Sequence, residues 1–299
     1  MTNQLPTPNS QPPLIVITGP TASGKTALAL RLAKRWGGEI ICADSRTVYR
    51  HMDIGTAKPT PEEQKVVPHW LLDVVDPGQR FTAADFQKLA FYAINDIRNR
   101  GKIPFLVGGT GLYIDSVVLR FSFGPEANSV IRNELEKMSI TELQTLLRKQ
   151  HIVIPENKNN KRYLIRSYEK NNVSISSRDT VEKDTFVVAI QTDMQELERR
   201  IDQRVREIFR TNIVQETQHL MSAYGSCGEA FTSNIYPIIK QLIEREISYE
   251  EAKRLSVLRD RQLAKKQLTW LKRHKWVNWH SLSDAEEYLD NLLVKYRDA

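Results

Sequence analysis

Residues 19–26 form a glycine-bounded loop that reads Gly19-Pro20-Thr21-Ala22-Ser23-Gly24-Lys25-Thr26. The apolar run Leu14-Ile15-Val16-Ile17 precedes this loop, and the helix-forming stretch 27–33 follows it. The order is therefore strand, loop and helix, which is the context that identifies the pattern G-x-x-x-x-G-K-[ST] as a phosphate-binding loop. A chance glycine-rich turn before a helix would not carry the full pattern in this context.

The loop has the parts that are needed to hold a phosphate group. Its glycines let successive backbone N–H groups turn toward one anion, and the helix that follows adds its positive dipole end. Lys25 supplies a cation for the outer phosphate, and the Thr26 hydroxyl can bind Mg²⁺. The loop alone does not identify the phosphate compound, because kinases, ATPases and diphosphate-releasing transferases all use it.

Buried-type strands alternate with helical segments along much of the chain, at residues 39–43, 103–107 and 186–190. This alternation predicts an α/β fold, a P-loop NTPase-like parallel sheet flanked by helices. Carboxyl ends of parallel strands face the ligand crevice, so we expect Asp44 to lie near the phosphate loop, with capping of the next turn as its alternative role. Thr110 follows a strand in the turn Gly108-Gly109-Thr110, which is typical of a ligand site or of a tight strand–helix connection.

Composition changes near residue 121 and again near residue 184. The intervening stretch is helical and then polar, basic and Asn-rich, so we interpret residues 122–184 as a helical insertion domain. The core is predicted to combine residues 14–121 with residues 185–279, which include helices toward the C-terminus. Residues 1–13, rich in Pro, Gln and Asn, are predicted as a disordered leader, and residues 280–299 as a C-terminal tail.

The composition narrows the class of protein. The 299 residues carry a formal net charge of +7, and 40% of them are hydrophobic, which permits a substantial core. No apolar run approaches the roughly 20 residues that cross a membrane. The two cysteines, Cys42 and Cys227, suit a reducing cytoplasm and are too few for a metal cluster. The positive charge favours a polyanionic partner, although basic proteins without one are common.

A long basic helix is predicted after the capping sequence that starts at Ser248. It and the residues after it interleave cations with tryptophans: Arg259, Arg261, Lys265, Lys266, Trp270, Lys272, Arg273, Lys275, Trp276 and Trp279. Basic residues among aromatic ones suit a nucleic-acid-binding face. A solvated helix face with its tryptophans in the core explains the same pattern equally well.

A series of segments, taken in order, resembles one family. The segments are residues 19–26, Asp44-Ser45-x-x-Val48-Tyr49, residues 53–59, Leu71-Leu72-Asp73, residues 81–86, residues 108–113 and residues 261–270. The series runs from about Leu14 to Trp279 and resembles the tRNA dimethylallyltransferases, also called tRNA isopentenyltransferases. The phosphate loop alone would not be specific for this family, but the combination is.

The resemblance implies a reaction and assigns residues to it. The family transfers a dimethylallyl group from dimethylallyl diphosphate to the exocyclic amine of the adenosine 3′ of the anticodon, with Mg²⁺ assisting and diphosphate leaving. The phosphate loop would hold the diphosphate, with Thr26 on the metal. Asp44 resembles the family's general base, and Thr110 matches another position of the catalytic site. Arg204, in Arg200-Ile201-Asp202-Gln203-Arg204, matches the arginine that stabilises the leaving diphosphate.

The resemblance also implies a tRNA anticodon stem-loop as partner. The target base must leave the loop stack to reach Asp44. The matching tRNA-contact positions are Asp44, Ser45, Arg46, Thr47, Thr110, Arg132, Arg162, Tyr163, Leu164, Ile165 and Arg166. The protein is expected to be a cytoplasmic monomer without a membrane segment.

The sequence departs from the family pattern in places. Pro155 to Asn160 replace the usual His-Pro-Asn-Asp, Tyr163 stands where an arginine is common, and Thr47 replaces a frequent glutamine. The segment Ile235-Tyr236-Pro237-Ile238-Ile239 replaces Gly-Tyr-Lys/Arg-Glu, and Pro237 lacks both the cation and the backbone donor. Because the catalytic positions are kept, we hypothesise altered tRNA choice or weaker tRNA binding with intact chemistry.

Two other functions remain open at this point. A small-molecule kinase built on the same loop would bind ATP and transfer phosphate. A non-catalytic homologue would bind tRNA without turnover, although the presence of Asp44, Lys25, Thr26 and Arg204 argues against it.

Overall fold

A single parallel sheet organises the protein. The computed structural model describes residues 11–124, 128–171, 177–225, 228, 230–232 and 235–298. Within these residues the sheet contains β1 (Leu14–Thr18), β2 (Glu39–Ala43), β3 (His69–Trp70), β4 (Pro104–Gly108), β5 (Thr185–Ile190) and β6 (Asn278–His280). The strand order is β3-β2-β4-β1-β5-β6, and all neighbouring strands are parallel.

Helices connect and cover the strands. The described residues form α1 (Lys25–Trp36), α2 (Pro61–Val66), α3 (Ala83–Asn99), α4 (Gly111–Val118), α5 (Ser129–Lys137), α6 (Ile140–Lys149), α7 (Lys161–Lys170), α8 (Met194–Phe209), α9 (Ile213–Tyr224), α10 (Tyr236–Ile243), α11 (Tyr249–Leu271) and α12 (Leu282–Arg297). None of these helices combines the length and the apolarity that crossing a membrane requires.

The sheet interior follows from the apolar runs in the sequence. All five residues of β1 are buried, as are those of β2 and β4, which is typical of parallel strands covered on both faces. The strands predicted at 39–43, 103–107 and 186–190 are confirmed, the last two with starts shifted by one residue. Thr82 begins α3 with a capping box, since its hydroxyl accepts from the Asp85 amide and the Asp85 carboxylate accepts from the Thr82 amide.

The described residues divide into two compact units. One unit contains the chain up to Val118 and from Thr180 onward, and the other is Leu119–Asp179. The second unit has its own core between α5, α6 and α7, formed by Leu135, Leu143, Leu147, Ile152, Leu164 and Ile165. Its two ends are joined by the Arg178 amide, which donates to the Leu119 carbonyl at 2.8 Å.

The prediction of a tail at residues 280–299 is wrong for the described part of that segment. Helix α12 buries Ala285, Leu289, Leu292 and Leu293 in the same core as the sheet. Asp290 of α12 accepts a hydrogen bond from the Trp36 indole at 2.7 Å, which ties α12 to α1. The apolar spacing in α12 is typical of an amphipathic helix and could have revealed it. Residues 1–10 of the predicted leader lie outside the described residues, while the Pro12 carbonyl accepts from Arg98 at 2.7 Å.

Candidate active site

A cleft of about 1140 Å³ lies at the carboxyl ends of β1, β2 and β4. Parallel α/β sheets place their ligands at this edge. The cleft is lined by the phosphate loop, by the turns after β2 and β4, by loop 55–59, and by α8 and α11, including Thr21, Lys25, Thr26, Asp44, Ser45, Arg46, Thr47, Thr110, Arg200, Arg204, Gln267 and Trp270. The sequence-predicted catalytic residues therefore share one cleft.

Lys25 is the first residue of α1, directly after Gly24, which caps the helix with a φ of 89°. Its ammonium Nζ donates to the Pro20 carbonyl at 3.2 Å. Burial lowers the pKa of Lys25 to about 8, and the nearby Asp44 carboxylate opposes that shift while Arg204 adds to it. The cation at this position is therefore costly without an anion and is stabilised when a phosphate group binds.

Arg204 reaches the phosphate loop from α8. Its Nη1 donates to the Thr21 hydroxyl, and its Nη2 donates to the Thr56 carbonyl at 3.5 Å. Both acceptors are uncharged, so the guanidinium keeps its charge for a ligand. Its Nε is buried and has no hydrogen-bond partner within the described residues.

Asp44 and Thr110 have different roles in the structure. One carboxylate oxygen of Asp44 accepts from the Arg46 amide at 2.8 Å, and the other accepts from no group in the described part of the chain. The Thr110 hydroxyl accepts from the Ser45 amide at 3.0 Å, and the Thr110 amide donates to the Ala43 carbonyl at 3.2 Å. Thr110 thus connects the ends of β4 and β2 and holds the turn that presents Asp44.

Helix α11 forms one wall of the cleft through contacts that the sequence analysis missed. The Gln267 carbonyl oxygen accepts from the Thr21 amide at 2.7 Å, and its Nε2 donates to the Gly109 carbonyl at 3.1 Å. One side chain therefore joins the phosphate loop to the turn after β4. Gln267 lies in the segment 261–270 that carries the family resemblance, and this was the available signal.

Trp270 extends the same wall. Its indole N–H donates to the Asp115 carboxylate at 2.8 Å, and its ring lies so close to Gly111 that a Cβ there would be 2.4 Å from it. The cations that the sequence analysis assigned to the basic helix are mostly exposed: Arg259, Lys265, Lys266, Lys272, Arg273 and Lys275. The tryptophans are half-buried rather than in the core. Helix α11 therefore combines a basic outer face with a polar, aromatic face on the cleft.

The remaining predicted tRNA contacts belong to the second unit. Arg132 and Arg166 bond to Glu169, a carboxylate that is only 3% exposed, at 2.8 and 3.1 Å. The side chains of Leu164 and Ile165 are buried in that unit's core, so a tRNA contact at these two positions would come from their backbone atoms, and the assignment of residues 162–166 to tRNA stays a prediction. Arg162 and Tyr163 are exposed on the surface of the unit.

The segment 235–239 also lies in the interior rather than on a binding surface. Pro237 is in the first turn of α10, where its missing N–H is tolerated, while Tyr236, Ile238 and Ile239 are fully buried. The departure from the family pattern at Pro237 is therefore accommodated by the start of a helix.

The donor set of the cleft fits Mg²⁺. The described residues contain no cluster of three or more His, Cys, Asp or Glu side chains that could hold a metal on its own. Mg²⁺ usually takes one or two protein oxygens and completes its shell with water and phosphate oxygens. The exposed Thr26 hydroxyl and the Asp44 carboxylate both face the cleft and supply oxygens of that kind.

The sheet and the loop at its edge define a P-loop NTPase-like protein with a phosphate-binding cleft. A family model described as IPP transferase matches residues 47–274, and the chain belongs to that family. It is 37% identical to a tRNA dimethylallyltransferase of Thermoanaerobacter sp. over 95% of this chain and 96% of the relative. A crystal structure of a tRNA isopentenylpyrophosphate transferase from Bacillus halodurans matches with a TM-score of 0.72 and 32% identity, covering 96% of this chain and 98% of that one. A crystal structure of the tRNA isopentenylpyrophosphate transferase from Staphylococcus epidermidis matches with a TM-score of 0.72 and 33% identity, covering 95% of this chain and 100% of that one.

Proposed function

We propose that this protein transfers a dimethylallyl group from dimethylallyl diphosphate to the exocyclic amine of the adenosine 3′ of the anticodon in tRNA and releases diphosphate. The observation that carries the proposal is the meeting of Asp44, Lys25 and Arg204 in one cleft of a chain that belongs to the IPP transferase family. A small-molecule kinase built on a phosphate loop has no need for the exposed cations that lie on α11 and directly after it.

The proposed transfer forms a bond between the adenine nitrogen and the allylic carbon and breaks the bond from that carbon to the diphosphate oxygen. The bonding electrons leave with the diphosphate. The adenine amine is a weak nucleophile, because its lone pair is delocalised into the ring, and Asp44 takes its proton as the new bond forms. The carboxylate oxygen of Asp44 that accepts no bond from the described residues is available for this task.

Cations that face the leaving diphosphate lower the barrier, since negative charge collects there. Arg204 is held by two neutral acceptors, and Lys25 stands at the start of α1, where the helix dipole also favours an anion. Mg²⁺, bound through Thr26, would add charge on the same oxygens. Trp270 and Leu112 line the cleft and offer apolar surface to the allylic group.

The proposal includes a tRNA anticodon stem-loop as substrate and a monomer as the active form. The proposed location is the cytoplasm. The exposed cations of α11 and its neighbourhood suit RNA phosphates and predict an affinity that falls with salt.

Nucleoside mass spectrometry tests the proposal. Purified protein, Mg²⁺ and dimethylallyl diphosphate are incubated with unmodified tRNA that carries adenosine 3′ of the anticodon, and the expected result is a mass gain of one dimethylallyl group at that adenosine. The Asp44→Asn variant should lose about 10²–10⁴-fold in rate with near-normal tRNA affinity. Binding of tRNA without any mass gain, or phosphate transfer from ATP to a small molecule, would contradict the proposal.

A further inference from the structure

Residues 53–58 form a loop on the rim of the cleft. Gly55, Thr56 and Ala57 line the cleft, and the Thr56 carbonyl accepts from Arg204 Nη2 at 3.5 Å. The position of this loop therefore sets one of the two hydrogen bonds that orient the Arg204 guanidinium. Whatever holds the loop in place also holds Arg204 in place.

The carboxylate of Glu216, on α9, holds the loop through its backbone. The amides of Asp53 and Ile54 donate to one oxygen at 3.0 and 2.8 Å, and the amide of Gly55 donates to the other at 3.0 Å. Three successive backbone N–H groups that converge on one anion form a nest. Hydrogen bonds to an ionised acceptor are also stronger than bonds between neutral groups.

Tyr236 completes this arrangement from α10. Its hydroxyl donates to Glu216 at 2.7 Å, and its ring is fully buried against Gly55, where a Cβ would lie 2.6 Å from the ring carbon Cζ. Burial and the adjacent carboxylate raise the pKa of Tyr236, so the hydroxyl stays a donor. Gly55 is therefore required for the close approach of the loop to Tyr236.

Lys58 also supports the loop and links its two ends through Asp53. Its ammonium is buried and donates to Asp53, to Asp73 and to the Tyr49 carbonyl at 2.5, 2.6 and 2.9 Å. The end of the loop at Lys58 is thus anchored to the sheet side. In the segment that faces Arg204, Glu216 holds the amides of residues 53–55, and the Thr56 hydroxyl donates to the Met52 carbonyl at 2.6 Å.

A carboxylate in the first turn of a helix commonly stabilises the N-terminal end of that helix. The hydrogen bonds of Glu216 go elsewhere. Both of its oxygens accept from groups outside α9, namely from loop 53–55 and from Tyr236. Replacement of the carboxylate would therefore release the loop and leave the start of α9 with its own bonds.

We propose that Glu216 is a positioning residue for the transfer, which holds loop 53–57 so that the Thr56 carbonyl and the Thr21 hydroxyl together orient Arg204 toward the diphosphate. This inference rests on the proposed function for its link to catalysis. Its structural part, the dependence of diphosphate binding on Glu216 through Arg204, stands apart from the identity of the acceptor.

A double-mutant cycle tests the inference. Glu216→Gln keeps the size of the side chain but removes its charge and replaces one of the two acceptor oxygens by an NH2 group, which cannot accept from the backbone amides. We expect it to weaken the binding of inorganic diphosphate with Mg²⁺, measured by calorimetry, about tenfold, and to lower kcat/KM for dimethylallyl diphosphate by a similar factor. In an Arg204→Ala background the same substitution should change either quantity less than twofold. A merely structural role would give equal losses in both backgrounds, and this result would overturn the inference.

Two further variants keep the test decisive. Tyr236→Phe removes one hydrogen bond to Glu216 and should weaken diphosphate binding about threefold, again only when Arg204 is present. Glu246→Gln, an exposed glutamate after α10, is the matched control and should leave diphosphate binding and transfer unchanged. An inactive wild-type protein would reject the proposed function, while the diphosphate cycle would still report on Glu216. An active wild type with an additive cycle would reject only the role of Glu216.

Discussion

Cations of this protein are held in two opposite ways. In the cleft, Arg204 donates to the Thr21 hydroxyl and the Thr56 carbonyl, and Lys25 donates to the Pro20 carbonyl. Among the residues that the structure describes, neither cation has a carboxylate at bonding distance. In the second unit, Arg132 and Arg166 share the buried carboxylate of Glu169. Neutral acceptors orient a cation and leave its charge for an anionic ligand, whereas a buried carboxylate compensates the charge. Residue type alone does not distinguish these two situations.

The largest effect is expected for Arg204→Ala. Loss of one oriented donor to a developing negative charge lowers kcat by about 10²–10³-fold. Steady-state kinetics of dimethylallyl transfer measures the loss. Arg199→Ala on the same helix is the control, because Arg199 is exposed and paired with Glu196, and it should retain nearly full activity. Equal losses of kcat in the two variants would contradict the distinction between an arginine held by neutral acceptors and one paired with a carboxylate.

Glu169→Gln should act on stability instead. Two arginines would lose a buried ionic acceptor, and a buried group left without its partner costs roughly 1–3 kcal/mol. Hydrogen exchange of residues 161–170 and thermal unfolding measure the change. Glu136→Gln removes a carboxylate that is 54% exposed and is worth about 0.5 kcal/mol or less. A Glu169 variant as stable as the Glu136 variant would contradict the assignment of Glu169 as a structural acceptor.

The pH dependence of substrate capture sharpens the comparison for Lys25. The pKa of Lys25 is lowered to about 8, so the free protein loses this cation as the pH rises through 8. Above that pH, kcat/KM for dimethylallyl diphosphate should fall by up to about tenfold per pH unit, while kcat should fall less because the bound anion favours the protonated lysine. A kcat/KM that stays flat from pH 7 to pH 9.5 would argue that Lys25 remains charged without ligand.

The smallest effect is expected for Arg132→Lys on tRNA affinity. Since Arg132 is 18% exposed and bonded to Glu136 and Glu169, we expect the Kd for tRNA to change less than about threefold. Filter binding or fluorescence anisotropy at fixed salt measures it. A loss of tenfold or more would show that Arg132 contacts RNA in spite of its carboxylate partners.

Local patterns predicted the sheet and the floor of the cleft because the relevant signals are short in sequence. The phosphate loop, the apolar strands and the turn after β4 can each be recognised from a stretch of about ten residues. The wall of the cleft depends on pairs that are far apart, such as Thr21 with Gln267 and Gly55 with Glu216. No periodicity or capping rule reports a contact of that kind.

Two features that the sequence analysis did not foresee have the same origin. Leu164 and Ile165 match family positions at the tRNA, and the helix periodicity of α7 turns their side chains into the core of the second unit. Helix α12 had a readable apolar spacing, yet its place on α1 depends on partners such as Trp36 that lie some 250 residues earlier. Burial decided each case, and burial is a property of the folded chain.

The bond between Gln267 and the Thr21 amide also has a consequence for synthesis. A ribosome releases the phosphate loop long before α11, and domains fold as their segments emerge. Until Gln267 arrives, the Thr21 amide lacks its acceptor and the turn after β4 is not joined to the loop. A nascent chain or a proteolytic fragment can therefore carry the complete motif at residues 19–26 and still lack a finished anion site, so the site is completed only after α11 has been synthesised.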